Sequence, residues 1–148
     1  LEPSRHVQET EFRMSSLKTY IVEDSPIILD GLVDTLEEAT TVKVIGTAAD
    51  EPTAVAWLGQ HDTACDLIII DIFLKSGSGL GVLRSAAQAG FKGTRVVLAN
   101  YATRYVRDAC AALGADRVFD KSRELEELIA YCSALSSSDG GSPTGPQP

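Results

Sequence analysis

Long apolar runs, basic residues and cysteines are all scarce in this chain of 148 residues. The longest apolar stretches, 67–70 and 96–99, fall far short of the roughly 20 residues a membrane-crossing helix needs, so no bilayer span is expected. Thirteen Lys plus Arg against 21 Asp plus Glu leave a net charge of −8, a poor electrostatic match for a polyanion, so neither direct nucleic-acid contact nor a membrane partner is expected. Cys65, Cys110 and Cys132 are odd in number, contain no CxxC pair and read as small core hydrophobes. With no basic-then-apolar opening segment, they point to a reducing, cytoplasmic setting. Neither His6 nor His61 has metal-ligand spacing. The remaining composition is 44% apolar, 23% charged and 6% aromatic, which excludes collagenous, disulfide-scaffold and wholly disordered classes and leaves one ordinary soluble domain.

Between Leu17 and Leu135 short apolar runs alternate with helix-length periodic segments, as in β-α-β units that build a parallel sheet. Five pairs can be counted. Strands are expected at 17–22, 42–47, 66–70, 95–99 and 118–119. Ser25 with Pro26 starts the first helix, Asp50 the second, and Ser122 is the expected cap of the last. The second helix is expected over 51–60. Leu80, Leu83 and Ala87 should mark the buried face of the third, closed by Gly90, and the fourth should run from about Thr103 to Leu113 and stop at Gly114. Ile68, Ile69 and Ile70 leave their strand no polar face, which suits a central strand covered on both sides. Residues 1–16, with the lone Met14, are expected to be an extension outside the fold, 17–135 the domain, and the Ser/Gly/Pro-rich residues 136–148 a disordered tail.

In an open parallel sheet, functional groups collect beyond the carboxyl ends of the strands. That rule selects Glu23 and Asp24, Asp71, Ala99 and Asn100, and Asp120 and Lys121. Two carboxylates about 5 Å apart repel by about 3 kcal/mol at an effective dielectric near 20. A cluster of Glu23, Asp24 and Asp71 therefore calls for a hard divalent cation, and Mg²⁺ with a phosphoryl group as fellow ligand fits the oxygen donors. Lys121 would supply a compensating point charge.

These residues resemble the receiver domain of bacterial two-component response regulators, through YIVEDSP at 20–26, DLIIIDIFL at 66–74, GSGLGVL at 77–83, VVLANYA at 96–102 and GADRVFDKS at 114–122. The resemblance implies a doubly wound α/β fold, (βα)5, with strand order 2-1-3-4-5. It also implies that Asp71 is the phospho-acceptor, that Glu23, Asp24, Asp71 and the Phe73 carbonyl hold Mg²⁺, and that Lys121 contacts the phosphoryl group. A histidine kinase or histidine phosphotransfer protein would be the donor. A downstream protein or output domain would read the result through the fourth helix, fifth strand and fifth helix, a face also suited to homodimer formation.

The pattern departs from the family at its readout. Ala99 stands where a Ser or Thr hydroxyl is usual, and Val118 where an aromatic is usual, although Phe119 follows it. Asn100 could donate from its amide in place of the missing hydroxyl, and Phe73 and Tyr101 fall at two positions that tune acyl-phosphate lifetime in the family. A degenerate receiver working as a phosphorylation-independent interaction module is the main alternative. An Asp-dependent phosphohydrolase is disfavoured because Phe73, not an acid, lies two places after Asp71, and a flavin carrier because the first β-α turn lacks a hydroxyl-rich loop. The domain would then be no enzyme beyond its own phosphorylation and dephosphorylation.

Overall fold

The computed structural model describes residues 15–60 and 64–141. Met14, His6 and His61 lie outside them. Five strands, β1 (Leu17–Val22), β2 (Val42–Ala48), β3 (Leu67–Asp71), β4 (Thr94–Ala99) and β5 (Arg117–Asp120), form one parallel sheet in the order β2-β1-β3-β4-β5. They alternate with α1 (Pro26–Ala39), α2 (Glu51–Leu58), α3 (Gly79–Gln88), α4 (Arg104–Ala112) and α5 (Leu125–Gly141). The doubly wound (βα)5 expectation and its strand order are met. Among the described residues no helix is long and apolar enough to cross a membrane.

All five residues of β3 are buried, as its unbroken apolar run requires of a central strand. Side chains alternate across the sheet and feed two separate cores. Ile68, Ile70, Val97, Ala99 and Val118 pack with Val82, Leu83, Ala86 and Cys110 of α3 and α4. Ile21, Ile69, Leu98 and Phe119 pack with Leu32, Leu36, Leu128 and Cys132 of α1 and α5. The rings of Tyr20 and Trp57 stack at 3.7 Å between centroids, against Gly46, where a side chain would crowd the Tyr20 ring. Burial pushes the Cys132 thiol up to about 12, consistent with an inert core residue.

The caps explain most helix boundaries. Ser25, Asp50 and Thr103 accept from the N–H groups of Ile28, Thr53 and Val106, and Ser78 opens α3 by accepting from Leu80. Gly90 and Gly114 follow α3 and α4 at φ +74° and +102°, where glycine carries no Cβ penalty.

Three expectations need correction. Helix α2 ends at Leu58, because the Gly59 N–H already turns back onto Val55 and Trp57. The buried residues of α3 are Gly79, Gly81, Val82, Leu83 and Ala86, and Ala87 is exposed. The helix is rotated so that Gly79 lies against the backbone of Asp71 and Ile72, an approach only a residue without Cβ permits. Ser122 does not cap α5. Its N–H and hydroxyl both donate to Asp120 Oδ1, at 2.9 and 2.7 Å, forming a turn that delays the helix to Leu125. Helix α5 continues past Leu135 to Gly141. Ser136 bonds Thr41 across the fold and donates to the Cys132 carbonyl, and extending a formed helix needs no new nucleus.

Candidate functional site

Strand register brings the site together. Val22 pairs with Ile70, which sets Glu23 beside Asp71; Asp71 pairs with Leu98, and Ala99 with Asp120, which sets Lys121 across β4 from the centre. Glu23 and Asp71 are buried, and Asp24 is half-buried. Carboxylate oxygens of the three lie within 4.8 Å of one another, the one such group of potential metal ligands among the described residues. Lys121 Nζ donates to Glu23 Oε1 at 2.9 Å and to Asp71 Oδ2 at 3.1 Å.

Backbone donors hold each acid in place. Glu23 Oε2 accepts from Ser25 N–H at 3.0 Å, Asp24 Oδ2 from Lys75 N–H at 2.6 Å and Asp71 Oδ1 from Phe73 N–H at 3.1 Å. Burial raises Asp71 to about 6; the Lys121 hydrogen bond pulls down against this, and the neighbouring Glu23 charge pushes up. Burial alone would lower Lys121, but its bonds to Glu23 and Asp71 outweigh that and raise it. Three carboxylates against one ammonium leave a net −2 in a largely buried place. That donor set, all hard oxygen with the opposing cation on one side, fits a divalent ion such as Mg²⁺.

The remaining expected residues lie on the strands and loops near the carboxyl ends of β3, β4 and β5. Phe73 is 59% exposed beside Asp71, and Tyr101 is 80% exposed. Asn100 is exposed at the β4–α4 turn, and Tyr101 follows at φ 54°, a left-handed setting rare for a bulky side chain. Ala99 is fully buried, and Val118 shares its core on the α4 side. Phe119 faces the opposite core with α1 and α5, so by strand parity it cannot substitute for an aromatic at 118.

Sequence reading missed two supports. The Glu51 carboxylate accepts from Ser78 N–H at 2.8 Å while the Glu51 N–H donates to the Ser76 carbonyl at 3.1 Å, anchoring the loop after Asp71. Gly77 and Gly81 leave room for that carboxylate. An acid in the first turn of α2 facing glycines was the available signal. The second support is the Arg107–Glu124 pair, whose other partners are backbone atoms.

The family model of the response regulator receiver domain matches residues 19–133. The transcriptional regulatory protein CitB of Klebsiella pneumoniae is 30% identical over 139 residues, covering 87% of this chain and 57% of that protein. A protein-glutamate methylesterase/protein-glutamine glutaminase of Xanthomonas euvesicatoria is 34% identical over 107 residues, 70% of this chain and 29% of its own length. The chain thus spans only part of the length of these relatives. In fold it resembles a two-component response regulator of the LuxR family from an Aurantimonas species, with TM-score 0.74 and 21% identity over 84% of this chain and 87% of that one. It also resembles the CheX–CheY–BeF3–Mg complex from Borrelia burgdorferi, with TM-score 0.67 and 19% identity over 78% and 88%. With a family model spanning most of the chain, this protein belongs to the response regulator receiver domain family.

Proposed function

We propose that this domain is a phospho-accepting signalling module in the cytoplasm, modified on Asp71 in a Mg²⁺-dependent reaction by a histidine kinase or a histidine phosphotransfer protein. The observation that carries this reading is Lys121 Nζ held between Glu23 and Asp71 while three carboxylates converge on one point. Glu23, Asp24, Asp71 and the Phe73 carbonyl would hold Mg²⁺, which when bound supplies charge neutralisation for the phosphoryl oxygens.

In the reaction a carboxylate oxygen of Asp71 attacks phosphorus; the new O–P bond forms as the P–N bond to the donor imidazole breaks, and the electron pair returns to the ring. Asp71 needs no general base, because above a pKa of about 6 it is already ionised at neutral pH. Lys121 then follows the negative charge from the Asp71 carboxylate onto a phosphoryl oxygen. The donor has an apolar surface to meet, since Ile27 and Ile28 are exposed beside a groove that reaches Lys121.

The proposed output is a protein contact, with a downstream protein or output domain, through α4, β5 and α5, the same face serving homodimers. Likeness to the Klebsiella regulator favours transcription as the process controlled, with this acidic domain making no contact to DNA itself. Its own catalysis is confined to gaining and losing its phosphoryl group. Ala99 and Val118 favour a second reading, a phosphorylation-independent interaction module. Incubation with acetyl phosphate and Mg²⁺ followed by intact-mass measurement separates these: one added phosphoryl group, absent in Asp71→Asn, is the expected result. No gain favours the second reading, and turnover of varied phosphate esters would indicate a hydrolase.

A further inference from the structure

The β4–α4 loop is gripped at a single residue from two directions. Ala102 N–H donates to Asp120 Oδ2 at 3.0 Å, and the Ala102 carbonyl accepts from Arg107 Nε at 2.9 Å. The same guanidinium donates through Nη1 to the Val118 carbonyl at 2.8 Å and through Nη2 to Glu124 Oε1 at 2.9 Å. Glu124 Oε1 also accepts from Asp120 N–H at 2.8 Å, which closes the network. One planar fork thereby ties α4, the loop, β5 and the start of α5, a task for which arginine's fixed donor geometry is suited and lysine's is not. Immediately before the grip, Tyr101 is held at φ 54°, a setting that would not persist unless its surroundings imposed it.

This network adjoins the phosphorylation centre through the backbone. Lys121 sits between Asp120 and Ser122, both members of the turn that Asp120 organises, and Lys121 N–H donates to the Ala99 carbonyl at 3.0 Å. A pull on Lys121 therefore acts on the segment that carries the Asp120 end of the grip. Ala99 and Val118, where the family resemblance leads one to expect a hydroxyl and an aromatic, are packed in the core and offer no side-chain hydrogen bond between these places.

We propose that Arg107 and Asp120 form a clasp on Ala102 that fixes the β4–α4 loop, and that opening of this clasp, in place of a hydroxyl–aromatic pair, carries the phosphorylation state of Asp71 to the α4–β5–α5 face. The coupling half rests on the phospho-acceptor reading; the clasp itself does not. Arg107 is thus a positioning residue, acting on the loop and touching no reacting atom.

Hydrogen–deuterium exchange at single amides tests both halves. In the unmodified protein, Arg107→Ala and the milder Glu124→Gln should speed exchange at Ala102 about tenfold while the β3 amides keep their protection, the effect expected for losing directed hydrogen bonds. Arg107→Lys should not restore the wild-type rate. Unchanged exchange at Ala102 in Arg107→Ala overturns the clasp. In the second arm, Mg²⁺ and beryllium fluoride are added, with binding followed by fluorine NMR and Asp71→Asn as control. Bound wild-type protein should show faster exchange at Ala102, and Arg107→Ala no further increase. An equal increase in both, or none in the wild type, overturns the coupling. If beryllium fluoride and acetyl phosphate both fail to engage Asp71, the phospho-acceptor reading falls together with the coupling, and the first arm still decides the clasp.

Discussion

Lys121 Nζ lies 3.1 Å from Asp71 Oδ2 although the two residues are 50 positions apart in the chain. The contact joins the ends of β3 and β5 across β4, and it makes the charge of Asp71 tolerable without making it comfortable. Burial still holds Asp71 at about 6 against an ordinary value of 3.8.

A stability profile in pH should register that strain. A carboxyl group whose folded pKa lies above its unfolded pKa binds more protons when folded, so its contribution to stability is present below about pH 4 and is lost as pH rises to about 6. Two units correspond to up to about 3 kcal/mol. The difference in unfolding free energy between wild type and Asp71→Asn, measured by urea titration from pH 4 to 8, should therefore move in favour of the variant with rising pH. Millimolar Mg²⁺ should shrink that gap. A difference flat in pH contradicts the buried, raised carboxyl.

Removing the ammonium should be worse than removing the acid. Lys121→Met keeps the apolar stem but leaves Glu23 and Asp71 buried without their cation, a loss of about 3 kcal/mol at pH 8. Adding Asp71→Asn to that variant should recover most of the loss, because the two sites share one network and their effects are not additive. Urea denaturation of the four proteins of this cycle gives the coupling directly.

Two glycines in the first turn of α3 should behave differently. Gly79→Ala would drive a Cβ into the Asp71 carbonyl and Ile72 Cα, both backbone, and should cost about 3 kcal/mol while disturbing Mg²⁺ affinity. Gly81→Ala would meet only the Glu51 carboxylate, whose displacement gives up its bond from Ser78 N–H, and should cost about 1 kcal/mol. Thermal melts and a Mg²⁺ titration monitored by Trp57 fluorescence would rank them.

Phe73, whose N–H bonds Asp71, and Tyr101, at the β4–α4 turn, both offer exposed aromatic surface. If they shield an acyl phosphate from water, Phe73→Asn with Tyr101→Ala should shorten its lifetime several-fold. Decay of phosphorylated protein followed by mass spectrometry checks this, and an unchanged rate removes the shielding role.

The sheet and the centre were both legible in the sequence, for the same reason. Ile68, Ile69 and Ile70 admit one kind of strand, and the first polar residues after each run fall where a parallel sheet exposes its carboxyl edge. Glu23, Asp24, Asp71 and Lys121 could thus be found by counting. Arg107 could not, because two of its three acceptors are the carbonyls of Ala102 and Val118, and a carbonyl carries no side-chain signature. The rotation of α3 was hidden too: apolar periodicity favours Leu80 and Ala87, whereas contact with the Asp71 backbone puts the smallest residue, Gly79, inward. At the last helix, the bond from Ser136 to Thr41 across the fold has no local sequence signal either.

The sheet divides the interior into two compartments with no buried side chain in common, one closed by α2, α3 and α4 and the other by α1 and α5. A partner on the proposed α4, β5 and α5 face would straddle the rim of that partition and meet both compartments at once. The fit of such a partner would depend on how the two compartments are placed against each other.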